Sequence, residues 1–118
     1  MKVSTLIIVE DLNEAKAFYC DVMGLDIVKE SDDRLDLAAG GHQIHVFEGE
    51  AKAKLYSHSS DASSTLVFWV EDVEAKRTEL EKLGYVFIHS NANDFSKYAA
   101  FWGPSGIVHE ISESASNQ

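Results

Sequence analysis

The sequence predicts an α+β fold built from two βαβββ modules that share one core. The main observation is a repeat: residues 6–28 and residues 67–88 carry the same pattern. Each copy starts with a β-branched and aromatic strand, passes through a Glu-Asp pair into a helical stretch, and reaches a glycine, Gly24 or Gly84, before another strand. A unit of about fifty residues buries too little surface to be stable alone. We therefore expect the two copies to pack together.

The first module is predicted over residues 1–50 as a strand, a helix and three further strands. Val3 to Val9 is almost wholly apolar, as expected of a strand covered on both faces. Asp11 and Glu14 have capping-box spacing, and Gly24 suits the left-handed residue that ends a helix. The apolar stripe of this helix consists of Ala15, Phe18, Tyr19, Val22 and Met23. The three further strands are predicted at residues 25–30, 34–39 and 43–48.

The second module is predicted over residues 65–113 and repeats this order. Residues 51–64 lack an apolar period and are rich in alanine, lysine and serine, which is typical of a connector between modules. A strand at 65–70 and a helix from Asp72 to Gly84 are followed by strands at 86–90, 98–102 and 107–112, with a Gly-Pro-Ser-Gly turn at 103–106. Residues 114–118 are expected to be a frayed tail.

Composition and charge exclude several classes of partner. The chain has 20 acidic and 10 basic residues and a formal net charge of -10, which repels phosphate backbones and anionic membranes. We therefore expect no nucleic-acid and no membrane partner, although the same charge would attract a cationic ligand. The sequence has no apolar run long enough to span a membrane, and its start is expected to be a strand rather than a signal peptide, so a cytoplasmic location is expected. Cys20 is the only cysteine, and we expect a core thiol rather than a nucleophile.

This pattern resembles the vicinal oxygen chelate superfamily, which includes glyoxalase I, extradiol dioxygenases, and the fosfomycin and bleomycin resistance proteins. The strongest match is the first copy, with Asp11, Phe18, Tyr19, Gly24 and Leu25 in place, and the second copy with its ending at 103–110 supports it. The resemblance covers the chain except the connector and tail. It implies a curved mixed sheet from each module with a helix on its outer face, the pair closing around a cavity, and commonly a homodimer.

The resemblance also implies four positions for metal ligands, one on the first and one on the last strand of each module. The residues at these positions are Ser4, His45, Thr65 and Glu110. A catalytic zinc ion usually has about three protein ligands, and non-heme iron oxygenases use two histidines and a carboxylate. Serine and threonine hydroxyls do not complete either set. We therefore predict no metal cofactor, and any divalent ion that does bind would be held by His45 and Glu110.

Strand alternation adds apolar candidates to these four polar positions. Leu6 and Ile8 should share the face of Ser4, and Phe47 that of His45. Val67 and Trp69 should share the face of Thr65, joined by either Phe101 or Trp102. The predicted ligand-binding residues are Ser4, His45, Phe47, Thr65, Trp69, Trp102 and Glu110.

The remaining histidines are not expected at the site. His109 cannot share a face with its neighbour Glu110, because successive residues of a strand point to opposite sides. His42 and His89 lie near strand ends and are expected to be exposed or hydrogen-bonded, and His58 lies in the connector.

Three functions remain open from the sequence. The first is a metal-independent protein that binds and sequesters a small molecule, cationic or aromatic, in the manner of the bleomycin resistance proteins that it resembles. The second is a lyase, isomerase or transferase that uses His45 and Glu110, with or without a weakly held divalent ion. The third is an interaction dimer with a cavity filled by Trp69, Phe101 and Trp102. For the polar residues alone, a cluster that only satisfies buried hydrogen bonds is a further interpretation.

Overall fold

A computed structural model describes residues 2–49, 64–92 and 96–114. The chain divides into two compact units, Met1–Ala62 and Ser63–Gln118, each with one four-stranded sheet of mixed direction. This arrangement confirms the α+β class and the two modules. Most of the predicted connector and tail lie outside the described residues. Within the described ranges, no helix has the length and apolar character that crossing a membrane requires.

The first unit follows the predicted order of elements. Its sheet has the order β1-β4-β3-β2, with β1 parallel to β4 and the other pairs antiparallel. The strands are β1 (Thr5–Val9), β2 (Asp26–Glu30), β3 (Arg34–Ala39) and β4 (His42–Glu48), and helix α1 (Leu12–Lys16) follows β1.

Helix α1 continues directly into a π-helical segment, Ala17–Val22, where we had expected an α-helix throughout. The Met23 N–H donates to the Phe18 carbonyl, five residues back, at 2.9 Å. Phe18 and Tyr19 are both fully buried, and their rings meet edge to face with centroids 4.9 Å apart. Cys20 is partly exposed, so the expectation of a core thiol is wrong. The burial that remains raises the pKa of its thiol.

The second unit repeats the topology of the first, with the strand order β5-β8-β7-β6. Its elements are β5 (Leu66–Trp69), α2 (Val73–Lys82), β6 (Phe87–Ala92), β7 (Ser96–Trp102) and β8 (Val108–Ser114). Strand β8 extends one residue into the predicted tail. A single 3-10 turn, Pro104–Gly106, occupies the predicted turn before β8. Strands β2 and β6, each at one edge of its sheet, have a register shift at the equivalent place.

Equivalent acidic residues cap the two helices. The Asp11 carboxylate accepts hydrogen bonds from the N–H groups of Asn13 and Glu14, and Asp72 accepts one from Ala75. A glutamate of the last strand adds a second cap in each unit: Glu48 accepts the Leu12 N–H and Glu113 accepts the Val73 N–H, both at 2.9 Å. These carboxylates satisfy N–H groups that have no partner inside the helix.

The core of each unit lies on one face of its sheet. In the first unit the buried side chains are Ile7, Val9, Leu12, Ala15, Phe18, Tyr19, Leu35, Leu37, Ile44 and Val46. In the second unit they include Val73, Leu80, Ala99, Phe101, His109 and Ile111. The buried strand residues alternate with more exposed ones, so the opposite face of each sheet is the more exposed one within its unit.

Candidate functional site

In the first unit, the sheet face opposite the core carries Ser4, Leu6, Asp36, His45 and Phe47, and is called the His45 face here. Strand register shows how these residues come together. Leu6 lies beside His45 and Ile8 beside Phe47 across the β1-β4 pair. Asp36 lies beside His45 across the β3-β4 pair. The predicted alternation of β1 and β4 is therefore confirmed.

The imidazole of His45 is hydrogen-bonded at both nitrogens. Its Nδ1 lies 2.7 Å from Asp36 Oδ1, and its Nε2 lies 3.1 Å from Ser4 Oγ. An ionised carboxylate only accepts hydrogen bonds, so Nδ1 carries the hydrogen and donates it to Asp36. Nε2 of the neutral ring is then an acceptor, and the Ser4 hydroxyl donates to it.

Asp36 is held in its ionised form. It is only 9% exposed, and Arg34 Nε donates to the same Oδ1 at 2.9 Å. The hydrogen bond from His45, with a further one from Arg34, holds the pKa of Asp36 below its ordinary value although burial acts in the opposite direction. Arg34 Nη2 also lies 3.5 Å from His45 Nδ1, but that nitrogen already donates to Asp36 and cannot accept.

Apolar groups surround this polar network. Leu6 is 44% exposed, and Ile8 and Phe47 are half-buried. The Arg34 guanidinium lies over the Phe47 ring, 4.7 Å from its centroid. At the β2-β3 end of the face, a shallow cavity of about 240 Å³ is lined by Lys29, Glu30, Ser31, Arg34 and Asp36.

In the second unit, the corresponding surface is the Glu110 face, which carries Val67, Trp69, Trp102 and Glu110. Val67 pairs with Glu110 and Trp69 with Ser112 across β5-β8, and Trp102 pairs with Val108 across β7-β8. Trp69 is 66% exposed and Trp102 is 49% exposed. Glu110 is half-buried, and its Oε2 accepts the Ser112 hydroxyl at 2.9 Å. Thr65 is exposed and lies just before β5.

The structure decides between Phe101 and Trp102. Phe101 is fully buried on the core side, where it pairs with His109, whereas Trp102 lies on the Glu110 face. His109 is likewise fully buried, with its ring centroid 5.4 Å from that of Phe68, so it does not share a face with Glu110, as predicted. Burial lowers the pKa of His109 to about 4.

His42 and His89 lie where we expected them. His42 Nε2 lies 2.7 Å from Thr5 Oγ1, and His89 is exposed, with its ring edge against Tyr98. His58 lies outside the described residues.

The residues at the four implied ligand positions do not fit a catalytic metal. Each unit supplies one ordinary ligand, His45 or Glu110, beside one hydroxyl, Ser4 or Thr65. Within residues 2–49, 64–92 and 96–114, no group of three or more His, Cys, Asp or Glu side chains is placed to hold an ion. The Ser4 hydroxyl also occupies the outward nitrogen of His45, the atom that a metal would need.

Sequence reasoning missed two members of the His45 network, Asp36 and Arg34. The sequence contains a signal for both. In Arg34-Leu35-Asp36-Leu37, charged residues alternate with leucines, so the charges must lie on the face opposite the buried leucines. What the sequence lacks is the β3-β4 register, which alone shows that Asp36 is next to His45.

Comparison with protein families gives one match that spans both units. The model of the Glyoxalase/Bleomycin resistance protein/Dioxygenase superfamily matches residues 3–111. A comparison with curated protein sequences gives no significant match.

Solved structures with the same fold differ in function. Lactoylglutathione lyase from Agrobacterium tumefaciens has a TM-score of 0.71 at 22% identity, covering 96% of this chain and 92% of that one. The fosfomycin resistance protein FosX from Mesorhizobium loti has a TM-score of 0.72 at 15% identity, with coverage of 96% and 91%. TnmS3, an antibiotic binding protein from Streptomyces sp. CB03234, has a TM-score of 0.67 at 19% identity, with coverage of 97% for both chains. At these identities the likeness establishes the fold alone.

Proposed function

Because this chain belongs to the glyoxalase/bleomycin resistance protein/dioxygenase superfamily, we propose that it is a small-molecule-binding protein that holds its ligand without a metal ion. Membership confirms the resemblance in the sequence. Structures of the same fold include both a lyase and an antibiotic binding protein. The choice between catalysis and binding therefore depends on the residues of this chain.

One observation supports the proposal most: hydroxyl side chains stand at two of the four implied ligand positions. Ser4 does not simply leave a vacant place beside His45, since its hydroxyl is hydrogen-bonded to the imidazole. The other imidazole nitrogen is bound to Asp36. A metal would have to displace Ser4, and the four implied positions include only two ordinary ligands, His45 and Glu110, fewer than the three that catalytic zinc sites use.

The Glu110 face indicates the chemistry of the ligand. Two tryptophans with large exposed areas, Trp69 and Trp102, share this face with the carboxylate of Glu110. Aromatic rings stack on planar ligands and attract cations over their faces, and tryptophan does so most strongly. The net charge of -10 would attract a cation from a distance. A planar aromatic cation matches all three features.

Calorimetric titration with N-methylacridinium tests this proposal. The protein should be treated with chelator and dialysed first, and neutral acridine should be titrated in parallel. We expect saturable binding of the cation, and at a hundredfold excess over Kd the fold should gain roughly 2.7 kcal/mol, visible as a raised Tm. Absence of binding, or binding that requires an added divalent ion, would contradict the proposal.

Matched variants locate the site within the second unit. Trp69→Ala should weaken N-methylacridinium binding by roughly tenfold, which is the order of a partly desolvated cation–π contact. Glu110→Gln should weaken the binding of N-methylacridinium more than the binding of neutral acridine, because the substitution removes the negative charge and keeps the shape of the side chain. The control is Leu83→Ala, since Leu83 is 55% exposed but lies at the end of α2, away from this face. Equal losses in all three variants would argue against a site on the Glu110 face.

A homodimer is a further part of this proposal. Sedimentation velocity should then give a species with twice the 13.1 kDa mass of one chain. A monomer at micromolar concentration would contradict it without affecting the metal-free binding of the ligand.

A further inference from the structure

The His45 face is arranged for proton transfer. We infer that His45 is a base that works without a metal, that Asp36 positions it, and that it takes the proton of an acidic hydroxyl on a bound ligand. The ligand hydroxyl would take the place that the Ser4 hydroxyl occupies. This inference rests on the proposed function only in requiring that a small molecule reaches the face.

The hydrogen bonds of His45 fix which nitrogen is the base. The Nδ1–H is committed to Asp36 at 2.7 Å, so the lone pair of the neutral ring is on Nε2. Nε2 points to Ser4, which is exposed and lies just before β1. The acceptor nitrogen is therefore on the open side of the network. Asp36 does not reach the ligand position, and it acts through the imidazole as a positioning residue.

The protonated imidazole that the transfer creates keeps its hydrogen bond to the Asp36 carboxylate. The Asp36 carboxylate would pair with this imidazolium at a largely buried position, where the attraction between charges is stronger than in water. Among the described residues, the other charged groups on this side of the sheet are Arg34, Lys29 and Asp26, from β3 and β2. Lys2 joins them from the segment before β1, since its Nζ donates to Gln43 Oε1 at 3.3 Å. Strands β1 and β4 add only Leu6, Ile8, Gln43 and Phe47. The positive charge of Arg34 repels the imidazolium, but Arg34 also helps to keep Asp36 ionised through its own hydrogen bond to that carboxylate.

The apolar neighbours specify the rest of the ligand. Leu6 is directly beside His45, and Phe47 lies two residues further along β4. An aromatic ring that bears its hydroxyl at the edge would contact these side chains and direct the O–H at Nε2. The chemical class is therefore a phenol. In the transfer the phenol O–H bond breaks, an N–H bond forms at Nε2, and the electron pair stays on oxygen, which gives a phenolate and an imidazolium without any oxidant or metal.

The probe for this inference is 4-nitrophenol, because its phenolate absorbs visible light and its phenol does not. With excess protein at a pH below the solution pKa of the probe, we expect the ratio of phenolate to phenol to rise by about tenfold, equivalent to one pKa unit. His45→Gln should abolish the rise. Asp36→Asn should remove most of it. His89→Gln, which changes an exposed histidine of the other unit, should retain it.

A measurement without ligand shows whether Asp36 orients the imidazole of His45 or only contributes to the stability of the fold. Nitrogen-15 NMR of His45 should show the hydrogen on Nδ1 in the native protein and a mixture of the two tautomers in Asp36→Asn. Hydrogen on Nε2 in the native protein would overturn the inference. The inference would also be overturned if 4-nitrophenol did not bind, or if it bound with an unchanged ratio of phenolate to phenol. Because N-methylacridinium is tested on the other unit, its binding can persist in all these cases, which leaves the proposed function intact.

Discussion

Acidification should destabilise the second unit through one buried residue, His109. Its side chain is fully buried on the core side of the sheet between the rings of Phe68 and Phe101. Burial disfavours the charged imidazolium, so the pKa of His109 falls from 6.5 to about 4. The folded protein therefore keeps His109 neutral at a pH where the unfolded chain would already bind a proton.

The sign and size of the effect follow from this difference. Above pH 6.5 both states are neutral, and the residue causes no pH dependence. As the pH falls from 6.5 toward 4, the unfolded state binds the proton first, and the free energy of unfolding decreases. Each pH unit in this window costs about 1.4 kcal/mol, so the full shift corresponds to about 3 kcal/mol. Below the folded pKa, both states are protonated and the loss levels off.

Urea unfolding at a series of pH values, for the native protein and for His109→Phe, measures this contribution. The variant keeps an aromatic ring in the core and removes the titrating group, so the difference between the two curves cancels the other histidines. We expect the difference to change with a slope near 1.4 kcal/mol per pH unit at about pH 5. Parallel curves across this range would show that His109 is not held neutral by burial, and the reasoning would fail.

Four substitutions test other parts of the second unit. Gly103→Ala should destabilise it by about 1–3 kcal/mol, since a Cβ there would lie 2.6 Å from the Cδ2 of His109; an unchanged urea midpoint would contradict the tight packing. Phe101→Ala should cost about 3–5 kcal/mol and Trp102→Ala less than about 1 kcal/mol, and the reverse order in thermal unfolding would contradict the assigned faces. Glu113→Ala should cost about 1 kcal/mol by removing the cap of α2, and unaltered amide exchange in its first turn would count against that role.

The fold could be predicted from the sequence because its signals are local. Apolar runs, caps at Asp11 and Asp72, and the helix-ending glycines recur in both halves, and Gly24 and Gly84 have the positive φ values, 78° and 98°, that their position requires. The π-helical segment 17–22 was not predicted, since its apolar stripe is compatible with an α-helix as well. The capping by Glu48 and Glu113 depends on residues about forty positions away from the helix, so no local pattern could indicate it.

The candidate site could be predicted only in part, for a similar reason. Alternation within single strands correctly placed Leu6 on the face of Ser4 and Phe47 on the face of His45, and it separated His109 from Glu110. The pairing of Asp36 with His45 depends on register between strands, which sequence patterns do not determine here. Which residues contact a ligand stays a prediction, to be tested by the titrations and variants above.

Calorimetric titration of N-methylacridinium into chelator-treated protein, repeated after equilibration with Mn²⁺ or Zn²⁺ and combined with elemental analysis, tests the metal-free binding of a ligand most directly. We predict the same Kd in all samples and less than stoichiometric metal. A protein that retains one ion per chain through His45 and Glu110, or one that binds the ligand only when the ion is present, would contradict the account.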